Sequence, residues 1–269
     1  MITLITAIVA GLGSFSAFHW AGDVGMGWSI TWAILTFLAI QIGLGVFFMR
    51  KVKADLLFVQ GIIAEAQKGV EEKMRRWQLK PPGSIQEAQR IIQEDMRVAV
   101  KKALVETSRL DKYRPWVLMV AKQVATARMH LNWMIKDFKA VDELMPKAFI
   151  IDPVSASMKM ARMQMLGKSI EEIDKVYRKA VMRARYNDNV LPAACYSWIL
   201  VKRGDTDAAF KVLGEALKKS DNETLKRNHE ALMNNRVLHF NNSGIGDQWY
   251  SLHLEEPKVK AARQRPVYR

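Results

Sequence analysis

Before Arg50 the chain has no lysine or arginine, and its only acidic residue there is Asp23. An ordinary water-facing surface is thereby excluded for this part, because charged side chains normally cover such a surface. Cysteine is almost absent as well. The one thiol, Cys195, cannot form an internal disulfide, and no cysteine pair exists to hold zinc. A lone cysteine suits a reducing compartment, and its apolar neighbourhood "VLPAACYSWILV" reads as a structural thiol rather than a nucleophile. The histidines are His19, His130, His229, His239 and His253, none of them four residues from another, so the helical metal-binding pair is missing too. No stretch of the body alternates apolar and polar residues as a half-buried strand would. The expected fold class is all-α.

Other chemistries fail on spacing. "GKS" at 167–169 has the end of a phosphate loop, but that loop needs a glycine where Arg162 stands. The acidic pairs Glu71-Glu72 and Glu171-Glu172 are adjacent, and neighbours on a helix point apart rather than share a proton. Asp23 and His19 fall near a turn and read as interfacial rather than as an ion path. No catalytic set, cofactor or metal is expected.

What the first part does have is length and apolarity. About 20 apolar residues cross the hydrocarbon layer as a helix. "WSITWAILTFLAIQIGLGVFF" meets this, with Trp28 and Trp32 as anchors at one end. "ITLITAIVAGLGSFSAFHW" is shorter and contains glycine. With "AGDVGMG" between them, the two read as a transmembrane hairpin with spans of about 2–19 and 28–49. The alternative for the first span is a signal peptide. Against it stand the missing basic start and the second span immediately after. Arg50, Lys51 and Lys53 close the second span and place the remainder of the chain in the cytoplasm, at a bacterial inner membrane.

Residues 50–115 are expected to form a helical stalk continuing the second span, since no proline occurs from Arg50 to Lys80. Leu56, Val59, Ile63, Ala66 and Val70 make an a/d stripe. It would pack on its own domain or against a second copy in a homo-oligomer. "PPGS" at 81–84 breaks the helix, and Ser84 with Glu87 fits a capping box for a new one. "DKYRP" at 111–115 is the next break.

Residues 116–235 repeat. "KDFKAVDELMPKAFIIDP" (136–153), "GKSIEEIDKVYRKAVMRAR" (167–185) and "GDTDAAFKVLGEALKKSDN" (204–222) each run from a polar turn into an amphipathic helix holding a deep alanine: Ala148, Ala180 and Ala216. Each comes after another helix, at about 117–134, 155–166 and 190–203. A helix–turn–helix unit of about 34 residues means stacked helix pairs, because one pair cannot bury its apolar face alone. Pro146 lies inside the first such helix and should bend it. "NETLKRNHEALMNN" (222–235) would cap the array, and 236–269 would be an extended basic tail, from which "QWYSLHL" is apolar enough to dock.

These units resemble tetratricopeptide repeats. The third carries the resemblance best, with Gly204-Asp205 at the inter-helix turn, Ala209 and Ala216 at small positions and Leu213 at a large one. The first matches through Phe138, Ala148 and Asp152-Pro153, the second through Ala161, Gly167, Tyr177 and Ala180. The tryptophan-leucine-glycine opening of the family's first helix is missing from every unit. The resemblance implies a concave face lined by the first helix of each pair. His130, Arg162 and Trp198 would occupy equivalent places there, with Met165 and Lys202 beside them. They are candidate partner-binding residues, the plain alternative being ordinary surface or core. "MKMARMQML" (158–166) puts four methionines on one of those helices, as core filling or as an adaptable surface.

The part from Arg50 onward holds all 41 basic and 26 of the 27 acidic residues, a net +15, against −1 before it. This basic excess suits anionic lipid headgroups at a cytoplasmic face. No aromatic-basic platform or nucleic-acid motif supports a nucleic-acid partner. The expected role is a non-catalytic, membrane-anchored scaffold holding protein partners, among them other membrane-complex subunits. The rival is a structural accessory subunit of a transport, motor or electron-transfer machine. In layout the chain resembles membrane-anchored tetratricopeptide proteins such as those associated with bacterial haem synthesis, an analogy of architecture alone.

Overall fold

The computed structural model describes residues 2–22, 25–79, 83–117 and 119–257. Among them the regular structure is all helical, with no strand. The chain divides into two compact units, Met1–Phe149 and Ile150–Arg269. The boundary falls inside the 116–235 stretch.

In the first unit, α1 (Ile2–Ser16) runs through a π turn at Ala17–Ala21, and α2 (Met26–Leu79) is one helix of 54 residues. Asp23 and Val24 lie outside those described. The two helices pack antiparallel through small and polar groups. Ala7 is wholly buried, and the Thr36 hydroxyl donates to Ser14 Oγ at 3.1 Å. Phe18 stacks on Trp32 at 5.3 Å. Gly11 is the close approach: a Cβ there would sit 3.2 Å from the Ala33 carbonyl oxygen and 3.3 Å from Phe37 Cβ. The large side chains point outward instead, with Leu12, Leu38 and Ile42 all exposed. Both helices are long and apolar enough to cross a membrane.

Beyond Arg50 the same helix changes character. Val52 and Val59 are buried, and Leu56 and Ile63 are half-buried beside them. Val52 and Leu56 meet Leu110, Tyr113, Val120 and Val124, while Val59 and Ile63 meet Val100, Ala103 and Leu131. The a/d stripe is therefore used inside the chain, on α3 (Ile85–Glu106), a 3₁₀ turn (Thr107–Tyr113) and α4 (Val120–Met134). Each fully buried Val or Leu contributes about 1.5–3 kcal/mol. α3 begins where Ser84 Oγ accepts the Glu87 N–H at 3.1 Å, and Lys73 of α2 pairs with Asp95 of α3 at 2.5 Å.

α5 (Phe138–Leu144) ends before Pro146 instead of bending through it. A proline in a helix interior removes a donor and crowds the carbonyl four residues back. Here the chain leaves the helix by a turn and ties back to α4, with the Phe149 N–H donating to Thr126 Oγ1 at 2.7 Å. Ala148, expected deep in a helix, is half-buried outside one. Asp152-Pro153 was also expected to end that helix. It starts the next: Asp152 Oδ1 accepts the Ser155 N–H at 2.8 Å, and Pro153 holds the first helical position.

The second unit contains α6 (Pro153–Met165), α7 (Ile170–Arg183), α8 (Val190–Lys202), α9 (Thr206–Leu217) and α10 (Glu223–Met233). α6 packs on α7 and α8, α8 on α9, and α9 on α10. One device recurs along the chain. α4, α6, α8 and α10 each end with a left-handed residue: Lys136, Gly167, Gly204 and Asn235. In each case the next N–H reaches back to the third-last helical carbonyl: Asp137 to Asn132, Lys168 to Met163, Asp205 to Leu200, Arg236 to Ala231. This is the Schellman closure. After the first three, Asp137, Ser169 and Asp205 cap α5, α7 and α9 with their side chains. "GKS" at 167–169 is thus a helix stop joined to a helix start. Ala161, Ala180, Ala209, Leu213 and Ala216 are all buried at the interfaces.

After α10 the chain does not run extended. Residues 237–239 and 243–245 are 3₁₀ turns, and α11 (Asp247–Tyr250) comes next. The tail from residue 258 lies outside the described residues.

Candidate functional site

Four of the five residues singled out by sequence fall in the second unit, on two helices that pack together. Arg162 and Met165 stand on α6, Trp198 and Lys202 on α8. Arg203 fastens the two helix ends, its guanidinium donating to Gln164 Oε1 at 2.6 and 2.9 Å and to the Lys168 carbonyl at 2.7 Å. Arg162 is half-buried; Met165 and Lys202 are exposed. His130 stands in the first unit, half-buried on α4. Of the clustered methionines, Met158 and Met160 are buried and fill core, which leaves Met165 as the exposed one among the described members at the helix end.

Trp198 is not an open surface residue. Its indole N–H donates to Glu255 Oε1 at 2.8 Å, and the Trp249 indole N–H donates to Glu255 Oε2 at 2.9 Å. The two rings meet edge to face at 6.0 Å, and Trp249 is wholly buried. Lys202 Nζ lies 5.3 Å from the Trp198 ring centre. One carboxylate thus accepts two indole donors and holds the C-terminal segment against α8. Hydrogen bonds to a charged acceptor are worth about 1.5–3 kcal/mol each.

A buried amide chain brings that segment into place. Asn228 Nδ2 donates to Asn242 Oδ1 at 2.7 Å, and Asn242 Nδ2 donates to the Ala194 carbonyl at 3.1 Å. The Asn241 N–H donates back to Asn228 Oδ1 at 2.9 Å. Gly244 is next, where any Cβ would lie 2.3 Å from Thr224 Oγ1, so only glycine passes. Sequence reasoning missed Trp249, Glu255, Asn228 and Asn242. The apolar "QWYSLHL" was the available signal, and it docks on this chain.

A concavity of about 470 Å³ lies along α7, α8 and α9, lined among others by Asp174, Arg178, Tyr196, Leu200 and Lys211. Asp174 is engaged on two sides. Asp174 accepts from the Tyr196 hydroxyl at 3.1 Å and pairs with Arg178 at 2.5 Å. Tyr177 stacks on Tyr196 at 4.5 Å. Burial first, and the Asp174 carboxylate second, push the Tyr177 phenol up to about 12 and raise Tyr196 also. Both stay protonated at neutral pH. Glu171, exposed, is shifted down by hydrogen bonds from its own N–H and from Ser169.

Cys195 is wholly buried, 3.7 Å from the Ser157 carbonyl oxygen that its thiol faces, and burial pushes its titration far above the ordinary thiol range. It is not poised as a nucleophile. Among the described residues no three His, Cys, Asp or Glu side chains gather as a metal site. No family model matches the chain, and no match emerges among curated proteins or solved structures.

Proposed function

We propose that the protein is a non-catalytic scaffold, anchored by a transmembrane hairpin in a bacterial inner membrane, that holds protein partners on the cytoplasmic side through tetratricopeptide-like helix pairs. The observation that carries this reading is the recurrence of one unit: helix, Schellman closure, side-chain cap, helix, at α4–α5, α6–α7 and α8–α9. Such units are built to stack and to present a surface made of the first helix of each pair. Met165 and Lys202 remain exposed on that surface in the second unit. The uncharged helices before Arg50 and the basic excess after it support the anchor and its orientation. The same basic excess favours anionic headgroups.

A specific observation favours the rival reading of an accessory subunit in a larger membrane complex. Gly13, Gly43 and Gly45 have open space where a Cβ would be, so other helices could approach closely there. Native mass spectrometry after mild-detergent extraction separates the two. Soluble partners that are lost from the Met165→Glu/Lys202→Glu variant support the scaffold. Membrane subunits retained at fixed stoichiometry by that same variant, and lost on Gly43→Leu/Gly45→Leu, support the rival and overturn the scaffold.

A further inference from the structure

The turn Tyr113–Val117 clasps the very start of α1. The Ile2 N–H donates to the Pro115 carbonyl at 2.9 Å, and the Thr3 hydroxyl donates to the Trp116 carbonyl at 2.8 Å. These two bonds join residues more than a hundred positions apart, and they fix the level of the turn along the hairpin. The length of α1 then fixes the level of the hairpin. Its apolar run is Ile2–Trp20, 19 residues. At about 1.5 Å per residue that spans roughly 28 Å, against a hydrocarbon layer of about 30 Å. The run therefore has no length to spare across that layer. Ile2 must sit at one boundary of the hydrocarbon, and Trp20, largely exposed, at the other.

We infer that the turn Tyr113–Val117 is seated in the phospholipid headgroup layer, making a third point of membrane contact. This rests on reading α1 and the first half of α2 as membrane-spanning. The local chemistry fits that layer. The first N–H groups of a helix have no partner within it, and in lipid they cannot turn to water. The Pro115 carbonyl supplies one. The Trp116 ring stacks on Phe48 at 4.8 Å, with Tyr113 edge-on to Phe48 at 6.4 Å, an aromatic cluster of the kind enriched at interfaces. Met119 is exposed just beyond the turn. Around it stand the exposed bases Arg50, Lys51, Lys53 and Arg114, of which Lys51 lies over the Phe47 ring and Arg114 pairs with Asp111 at 3.0 Å. Basic groups at this level gain from phosphate.

The test places a spin label at one position at a time in the full chain, reconstituted in vesicles of phosphatidylethanolamine and phosphatidylglycerol. The positions are Met119→Cys, Leu38→Cys in the middle of the second span, and Met74→Cys far along α2. Cys195 stays in place because it is buried. Relaxation by oxygen and by a water-soluble nickel chelate reads depth. The expected result is hydrocarbon for residue 38, water for residue 74, and a headgroup depth between them for residue 119. A label at 119 as accessible to nickel as the one at 74, while 38 reads hydrocarbon, overturns the seating alone. So does a label at 119 as deep as the one at 38. A water-exposed label at 38 overturns the membrane reading itself, and the seating with it.

Discussion

The helix pair α1–α2 before Arg50 and the unit that begins at Ile150 bury opposite kinds of side chain. In the pair, Thr3, Ala7 and Gly11 face inward while leucines and isoleucines face out. In the unit from Ile150, Ile173, Leu213, Leu225 and Trp249 are inside and the charges outside. Water drives the second arrangement through the hydrophobic effect. If the pair spans a membrane as proposed, no such drive acts between its helices, and close approach of small residues decides the packing. α2 holds both patterns in a single element: large apolar side chains exposed before Arg50, and Val52 and Val59 buried after it.

The sharpest way to break the comparison is to remove the same residue type from each region. Trp249→Ala should destabilise the unit from Ile150 by about 3–5 kcal/mol, read as a lower denaturant midpoint. Trp28→Ala, at a position 67% exposed, should leave that midpoint unchanged. A charge makes the next test. Leu38→Arg places a guanidinium mid-span at about 2.5–3.5 kcal/mol in insertion, seen as protein lost from the carbonate-resistant membrane fraction. Met182→Arg, at an exposed position of α7, should insert normally and stay within about 0.5 kcal/mol of the parent.

Packing within the pair comes third. Gly11→Ala forces a methyl against Ala33 and Phe37 and should cost about 1–3 kcal/mol in detergent-solubilised thermal unfolding. Gly13→Ala meets open space and should cost nothing measurable. The last effect is nil at neutral pH. Tyr177 titrates near 12 when folded and near 10 when unfolded, so the unfolded chain loses that proton first as pH rises. Its stabilising share is complete below pH 10 and is lost as pH climbs toward 12. Tyr177→Phe should flatten this alkaline loss, tracked by tyrosinate absorbance and by the unfolding midpoint.

Much of the architecture was legible because its causes are local. Each uncharged run reads as an apolar helix of spanning length, and α1 and the first part of α2 are long and apolar enough for that. A proline-free run from Arg50 reads as one continuous helix, and α2 is one. Ser84 announced a helix start that its side chain does cap, and the polar turns at 167–169 and 204–205 do run into helices, which Ser169 and Asp205 cap. Where two local signals competed, reading failed. Asp152-Pro153 can close one helix or open the next, and only the bond to Ser155 chooses the latter. Pro146 can bend a helix or stop it, and the anchoring of Phe149 to Thr126 stops it. Of the proposed partner face, α6 and α8 were placed side by side by their repeat position alone. That its Trp198 is held by Glu255 was not readable.

By itself the sequence determined what depends on near neighbours: helical periodicity, caps, the two apolar runs and the step in charge at Arg50. Tertiary structure decided what joins distant residues. The clasp of Pro115 and Trp116 on Ile2 and Thr3, the amide chain from Asn228 to Ala194, and the carboxylate of Glu255 between two indoles all link segments with no pattern in common. A side chain carries its donors and acceptors in its own chemistry. Which partner it meets is set only when the helices have packed and the remaining buried groups must be satisfied.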